Sequence, residues 1–201
     1  MPIDPDMTVS YYEANAEAFV ARTVGTDMGP FHARFLRYVP AGGTILDAGC
    51  GSGRDTRRFL EMGYRVTAME PTEALARLAE AHSGQPVLRL RFQEMAFCEA
   101  FDGIWAAASL LHVPQREVGN VFRRLIRSLR ISGACFMSFK RGSGERFDAG
   151  GRLYHDQTLA SLGELLRGYP QLETLETWES DSPRPDRQGE FWVQAIVRRS
   201  R

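Results

Sequence analysis

The chain has 201 residues, enough to bury one substantial core, and a single domain covering residues 1–201 is expected. Its 43% hydrophobic and 25% charged residues are typical of ordinary globular proteins. The formal net charge is zero, so no overall field attracts the chain to nucleic acid or to an anionic membrane, and we expect neither as a partner. Three cysteines are scattered without paired spacing, which predicts no disulfide framework and no metal site.

The first 40 residues predict two helices that precede the main fold. The first helix carries an apolar stripe at helical spacing, and the second runs over residues 30–38. The stripe consists of Tyr12, Ala16, Phe19 and Val20. Acidic residues interrupt this segment and it has no long apolar run, which argues against a signal peptide or membrane span and favours a cytoplasmic location. We expect residues 1–40 to form a helical lid over a core of residues 41–201.

Residues 44–55 predict a buried strand that runs into a glycine-rich turn and then a helix. Ile45 and Leu46 form the apolar end of the strand, and Asp47 stands at its carboxyl tip. Alternating glycines then allow a backbone that is too tight for side chains, at Gly49, Gly51 and Gly53. A turn of this kind is where an α/β sheet binds nucleotides.

The spacing and charge of this turn argue against a dinucleotide ligand. The dinucleotide fingerprint needs a third glycine at the position that Arg54 occupies. Asp47 would also repel a pyrophosphate at the helix N-terminus, whereas it suits a ligand whose nearest group is an ammonium. S-adenosylmethionine carries an ammonium and a sulfonium and no phosphate.

The rest of the chain alternates strand with helix, as a parallel sheet requires. The predicted strands are residues 64–69, 87–92, 101–107, 134–139, 172–178 and 190–197. The last two have no helix between them and should pair antiparallel. Residues 140–151 are glycine-rich and basic, and we interpret them as a long loop able to fold over a site.

Glu70 ends the second predicted strand, where its carboxylate can accept both hydroxyls of a ribose. Together with Asp47 and the glycine turn, it resembles motif I and the acidic ribose residue of the class I S-adenosylmethionine-dependent methyltransferases. The resemblance extends from Ala41 to the C-terminus. It implies an α/β, Rossmann-like fold with a seven-stranded, mostly parallel sheet, helices on both faces and an antiparallel last strand. It also implies S-adenosyl-L-methionine as the cofactor.

The resemblance further implies which residues at the carboxyl edge of the sheet contact the cofactor. Met95 is expected beside the adenine with Gln93 or Glu94 as its polar neighbour, while Arg22 and Arg54 compete for the methionine carboxylate. Tyr11 and Tyr12 could close over the sulfonium as π faces. The predicted cofactor-binding set is Tyr12, Arg22, Asp47, Gly49, Gly51, Glu70, Pro71, Gln93, Glu94, Met95 and Ser109.

His112 and Lys140 are the predicted catalytic residues. His112 ends a segment that resembles the one lining the methionine end of the cofactor, where it is either a base near the methyl group or a ring packed beneath the next helix. Lys140 is the only lysine among the 25 basic residues, and its compact amine can lose a proton when partly buried. It was retained either for the site at the end of the fifth strand or by chance.

The predicted function is methyl transfer to oxygen, nitrogen or sulfur of a small molecule, by a monomer or homodimer. Positive charge in the 140–152 segment mildly favours an anionic acceptor. One alternative is a methyltransferase that detoxifies thiols or metalloid oxyanions. Another is a module that binds S-adenosylmethionine and acts through a partner, and a dinucleotide-dependent oxidoreductase is a third hypothesis that conflicts with Arg54 and Asp47.

Overall fold

A computed structural model describes residues 6–201 and contains the expected seven-stranded sheet. Its strands are β1 (Thr44–Ala48), β2 (Arg65–Met69), β3 (Val87–Leu88), β4 (Phe101–Ala106), β5 (Leu129–Lys140), β8 (Leu172–Asp181) and β9 (Phe191–Arg199). They lie in the order β3-β2-β1-β4-β5-β9-β8. Strand β9 is antiparallel to both neighbours and the other pairs are parallel. The Rossmann-like fold and the antiparallel last strand are therefore confirmed.

Helices cover both faces of this sheet. They are α1 (Asp6–Thr23), α2 (Gly29–Leu36), α3 (Arg54–Glu61), α4 (Glu73–Ser83), α5 (Gln115–Ser128) and α6 (Leu159–Arg167). Side chains of β4 alternate between the two faces, as strand geometry requires: Ile104 packs into the core under α5 and α6, and Trp105 packs into the core under α2 and α3. Parallel strands covered on both faces place their carboxyl ends along one edge, where the site is expected.

Two expected elements differ in the structure. Within the segment 140–151 interpreted as a loop, residues 144–147 form strand β6 (Gly144–Phe147), which pairs antiparallel with β7 (Leu153–Asp156) just beyond that segment. All four residues of β7 are buried, and their packing fixes the β6–β7 hairpin to the rest of the fold. The third strand is only two residues long, and the chain then enters a 3-10 turn at Phe92–Glu94. That early turn changes which side chains face the site.

The two N-terminal helices have different roles. Phe35 of α2 is fully buried against Trp105 and Phe59, at ring-centroid distances of 5.3 and 6.1 Å, so α2 belongs to the core and its interpretation as part of a lid is wrong. Helix α1 lies over the sheet edge and is kinked at Asn15. The lid hypothesis stays a prediction for α1, and residues 1–5 of the expected lid lie outside the described residues.

Three further observations bear on the function classes. No helix in residues 6–201 combines the length and the apolarity needed to cross a membrane. Within the same residues, no three side chains of His, Cys, Asp or Glu cluster in the way metal ligands do. The three cysteines are free thiols, with Cys50 and Cys135 buried and Cys98 exposed.

Candidate active site

The carboxyl edge of the sheet carries two clefts that meet beneath α1. The first cleft, of about 800 Å³, lies over the ends of β1 and β2. The second, of about 1060 Å³, lies over β5 and β9 and beside the β6–β7 hairpin. The clefts share a wall made by Tyr12, Phe19, Gly49, Gly51, Ala108 and His112. A ligand in one cleft therefore abuts a ligand in the other.

The glycine turn after β1 forms part of this shared wall. Gly49 has a φ of 80°, and a Cβ at this position would lie 2.5 Å from the Cβ of Ser109. A Cβ on Gly51 would approach the ring of Phe19 to 3.1 Å. Only glycine keeps the backbone this close to its neighbours, so the turn leaves room for a ligand where a side chain would have filled the cleft.

Glu70 presents a carboxylate to the first cleft. Its two oxygens accept hydrogen bonds from the backbone N–H groups of Gly51 and Thr72, each at 3.1 Å. Each carboxylate oxygen can accept a second hydrogen bond, which leaves capacity for two hydroxyl groups. The side chain is 6% exposed, and this burial raises its pKa. Glu70 is thus oriented by the backbone, as a group that binds a ribose must be.

A buried polar cluster lies beneath the glycine turn. Asp47 accepts a hydrogen bond from the hydroxyl of Thr56 at 2.6 Å and lines neither cleft. Burial, and then the neighbouring charge of Asp55, raise the pKa of Asp47. Asp47 therefore supports the turn from below and does not face an ammonium directly, which corrects its expected role.

Asp55 links the cluster to the second cleft. Burial alone would raise its pKa, but Arg54 and His32 offset this and hold it below the usual range. Two guanidinium nitrogens of Arg54 donate to the carboxylate at 2.9 and 2.7 Å, and Trp105 Nε1 donates at 2.9 Å. Arg54 lines the second cleft, whereas Arg22 is exposed on α1 and lines neither cleft. Of the two candidate arginines, only Arg54 is brought to the site.

The structure gathers most of the other expected cofactor residues in the first cleft. These are Tyr12, Gly49, Gly51, Glu70, Pro71, Gln93 and Ser109. Ser109 donates to the carbonyl of Ala48 at 2.7 Å and so ties the segment after β4 to the glycine turn. Gln93 donates to Glu117 at 2.6 Å. The hydrogen-bonding capacity of this wall comes from chain segments far apart in sequence.

Glu94 and Met95 are not part of either cleft, contrary to expectation. The Glu94 side chain is exposed and accepts a hydrogen bond from the backbone N–H of Arg91 at 2.8 Å. Met95 is 1% exposed and packs in the core. The third strand ends at Leu88 and a 3-10 turn begins at Phe92, and Phe92 lies at the apolar wall where Met95 had been expected.

Tyr12 and His112 form the junction between the clefts. The Leu153 carbonyl can only accept, so the 2.6 Å contact with His112 makes Nδ1 the donor. Nε2 is then an acceptor, and the Tyr12 hydroxyl donates to it at 3.0 Å. Burial lowers the pKa of His112 to about 4. The imidazole is therefore neutral at pH 7, and its basic nitrogen is engaged by Tyr12.

Lys140 and Arg152 place two positive charges in the second cleft. Lys140 Nζ lies 2.8 Å from a Glu190 carboxylate oxygen and 4.7 Å from the centre of the Tyr154 ring. The Arg152 guanidinium bonds to Asp148 and lies 4.4 Å from the centre of the Tyr11 ring. Sequence reasoning counted Arg152 only as a charge. The adjacent aromatic residues Tyr11 and Tyr12 are the sequence signal that could have indicated a cationic partner such as Arg152.

Alternate residues of β5 and β9 complete the wall of the second cleft. Phe136, Ser138 and Lys140 come from β5, while Trp192 and Gln194 come from β9. The register pairs Ser138 with Gln194 and Lys140 with Trp192, so these side chains share one face of the sheet. Sequence reasoning did not single out Trp192 or Gln194, although the alternation along β9 could have placed them at the same edge as Lys140.

Comparisons with known proteins agree with this geometry. The model of a family described as "Methyltransferase domain" matches residues 45–133. A ubiquinone biosynthesis O-methyltransferase of Xanthomonas axonopodis pv. citri is 28% identical over 109 residues, which are 51% of this chain and 45% of that protein. A tRNA U34 carboxymethyltransferase of Shewanella sp. is 38% identical over 77 residues, covering 34% of this chain and 23% of that protein. The matches thus span less than half the length of these curated relatives.

A solved structure extends the similarity to nearly the whole chain. The 1,6-didemethyltoxoflavin-N1-methyltransferase of Burkholderia thailandensis, crystallised with 1,6-didemethyltoxoflavin and S-adenosylhomocysteine, superposes with a TM-score of 0.79. It is 27% identical, and the match covers 98% of this chain and 88% of that one. The chain is therefore similar to the class I S-adenosylmethionine-dependent methyltransferases, in sequence over residues 45–133 and in fold over nearly its whole length. The cofactor of this class is S-adenosyl-L-methionine.

Proposed function

We propose that this protein transfers the methyl group of S-adenosylmethionine to an oxygen, nitrogen or sulfur atom of a small, flat molecule bound in the second cleft. The observation that carries the proposal is the pair of clefts that meet at Tyr12 and His112. The first offers an anchored carboxylate for a ribose, and the second is walled by aromatic rings and cations. The Burkholderia methyltransferase, which was crystallised with 1,6-didemethyltoxoflavin and S-adenosylhomocysteine, supports a small-molecule acceptor, and the aromatic walls of the second cleft favour a flat one.

The residues of the first cleft are suited to the nucleoside part of the cofactor. Glu70 would accept the ribose hydroxyls, and Phe92 and Gln93 would border the adenine. Gly49 would allow close approach of the backbone, because a Cβ there would collide with Ser109. In the second cleft, Arg54 would bind the methionine carboxylate of the cofactor. Its guanidinium also forms an ion pair with Asp55.

The cofactor, when bound, supplies a methyl group that is already activated by the sulfonium. Rate can then come mainly from aligning the acceptor and excluding water. Tyr12 and Phe19 close the junction from α1, and the His112 ring fixes the Tyr12 hydroxyl. With its lowered pKa and occupied Nε2, His112 is better suited to position Tyr12 than to accept the proton of the acceptor.

Ligand-dependent thermal stability tests the cofactor half of this proposal. S-adenosylhomocysteine at about 100 times its Kd should stabilise the protein by roughly 2.7 kcal/mol and raise the Tm, because it binds the native state alone. NAD should give no shift. If NAD stabilises the protein and neither S-adenosylmethionine nor S-adenosylhomocysteine does so, the interpretation of the first cleft is wrong.

Turnover with methyl-labelled cofactor tests the acceptor half. The panel should contain fused heteroaromatic compounds, phenols, carboxylates, thiols and an arsenite salt. We expect label in the flat heteroaromatic compounds. Labelling confined to thiols or arsenite would establish the detoxifying alternative, and a protein that binds the cofactor tightly but labels nothing would favour a regulatory binding module.

A further inference from the structure

Two polar atoms in the wall of the second cleft have no hydrogen-bond partner within residues 6–201. They are the indole Nε1 of Trp192 and the amide Oε1 of Gln194. Both atoms are shielded from solvent, and Gln194 is only 2% exposed. A buried polar group left without a partner destabilises the fold, so two such groups two residues apart on one strand call for a functional explanation.

The orientation of the Gln194 amide follows from its neighbours. The Ser180 hydroxyl donates to the carbonyl of Asp181 at 3.0 Å, so its oxygen is left to accept. Gln194 Nε2 donates to that oxygen at 2.8 Å. If the amide were inverted, Gln194 Oε1 would face the Ser180 oxygen, whose proton is already donated to Asp181, and the two oxygens would have no proton between them. The acceptor Oε1 is thus held on the other side of the amide, away from Ser180.

The indole N–H and the amide oxygen lie on the same face of β9. Residues two apart on a strand point the same way, and their Cα atoms are separated by about 6.6 Å. Trp192 can only donate through Nε1, and Gln194 can only accept through Oε1. The wall therefore offers one donor and one acceptor in a row, together with the Lys140 ammonium 5.9 Å from the centre of the Trp192 ring.

The rest of the cleft is suited to a flat ring. Phe31 and Phe136 meet edge to face at 6.4 Å, and Phe136 is stacked on Trp105 at 4.1 Å, which holds its ring rigidly. Both phenylalanines line the second cleft, as does Tyr154. Such a pocket buries the faces of an aromatic acceptor and leaves recognition to polar groups at the ring's edge.

We propose that Gln194 and Trp192 select acceptors with a lactam or imide edge, in which a ring N–H donates to Gln194 Oε1 and an adjacent ring carbonyl accepts from Trp192 Nε1. This inference rests on the proposed function, because it identifies the acceptor class of the same cleft. Small side-chain rotations of the kind common on ligand binding would bring the two shielded atoms to the ligand. An acceptor that offers only apolar edges would leave both atoms unpaired and bind less tightly.

Calorimetry on the full chain saturated with S-adenosylhomocysteine tests the inference without requiring turnover. The probes are lumazine, a fused bicycle with an imide edge, and 1,3-dimethyllumazine, which has the same carbonyls but no ring N–H. We expect the parent to bind lumazine at least tenfold more tightly. Gln194→Leu should abolish this preference, whereas Trp192→Phe should weaken both probes about tenfold and preserve the preference.

Two further variants separate recognition from structural damage. Ser180→Ala removes the group that orients the amide and should reduce the preference for lumazine severalfold while Gln194 remains in place. Phe191→Leu is the matched control, because Phe191 directly precedes Trp192 on β9, so that its side chain points to the opposite face, and it lines neither cleft; it should leave the binding of both probes unchanged. All four variants should keep the parent's affinity for S-adenosylhomocysteine.

Three outcomes would overturn the inference: equal binding of the two probes by the parent, a preference that survives Gln194→Leu, or no lumazine binding up to its solubility limit. The third outcome would overturn it because lumazine carries the imide edge that Gln194 and Trp192 are proposed to recognise. Failure of the parent to bind S-adenosylhomocysteine would instead contradict the proposed function. The two failures are therefore distinguishable.

Discussion

The two clefts are built in different ways. In the first, the recognition groups are fixed by backbone: Gly49 by its left-handed conformation, and Glu70 by two backbone N–H donors. In the second, they are side chains brought together from distant segments, such as Phe31 with Phe136 and Trp192 with Lys140. Groups fixed by the backbone suit a ligand that stays the same, such as a cofactor. A cleft lined by side chains can acquire a different ligand when those side chains are substituted.

The largest expected effect comes from disturbing the backbone of the first cleft. Gly49→Ala should lower the free energy of unfolding by about 2–5 kcal/mol, since it combines left-handed strain with overpacking against Ser109. Denaturant unfolding measures this cost. The matched control is Gly63→Ala, whose φ is 86° but whose added Cβ would meet nothing within 4 Å, so only the strain of about 1–2 kcal/mol should remain. Equal costs would show that the turn is not tightly packed.

Next in size is the loss of the carboxylate in the first cleft. Glu70→Ala should weaken S-adenosylhomocysteine by about 1.5–3 kcal/mol, or roughly 10- to 150-fold, because the ribose hydroxyls lose a charged acceptor. Isothermal calorimetry measures the change. Glu73→Ala, on the exposed start of α4, should leave the affinity unaltered. Unchanged affinity in Glu70→Ala would remove this residue from the site.

These two variants probe the half of the site that the sequence predicts well. The strand, the glycine turn and the acid at the next strand tip are contiguous patterns with a local physical cause, and Gly49 and Glu70 were identified from them. Met95 was misplaced because its position depends on where β3 ends, and strand length is set by pairing with β2. Arg152 and Gln194 were missed because their roles arise from contacts with segments 140 and 14 residues away, through Tyr12 and Ser180 respectively.

The junction between the clefts should respond to pH. Burial lowers the pKa of His112 to about 4 in the folded protein, against an ordinary value near 6.5, so the unfolded chain binds the extra proton first as the pH falls. His112 therefore costs no stability above about pH 6.5. It should destabilise the fold by about 2 kcal/mol on going from pH 7 to pH 5.

Urea titrations at several pH values measure this dependence. His112→Asn keeps an amide donor for the Leu153 carbonyl but cannot be protonated, so its stability should fall less between pH 7 and pH 5 than that of the parent. His82→Asn, at a partly exposed position on α4, should retain most of the parental slope. Identical slopes for the parent and His112→Asn would mean that the imidazole is more accessible to water than its hydrogen bonds imply.

The smallest expected effect concerns Lys140, which borders the second cleft without contacting the first. Lys140→Met leaves Glu190 without its 2.8 Å partner and should weaken binding of the acceptor found in the labelling screen by about 1 kcal/mol, or roughly fivefold in KM.

Lys140→Arg keeps the charge but replaces the compact amine. If the amine anchors the acceptor, Lys140→Arg should retain most of the activity, and if it transfers a proton, kcat should fall in both variants. Arg141→Met is the matched control, because Arg141 pairs with Glu179 outside the second cleft. Parental kinetics in both Lys140 variants would make the single lysine a surface charge retained by chance.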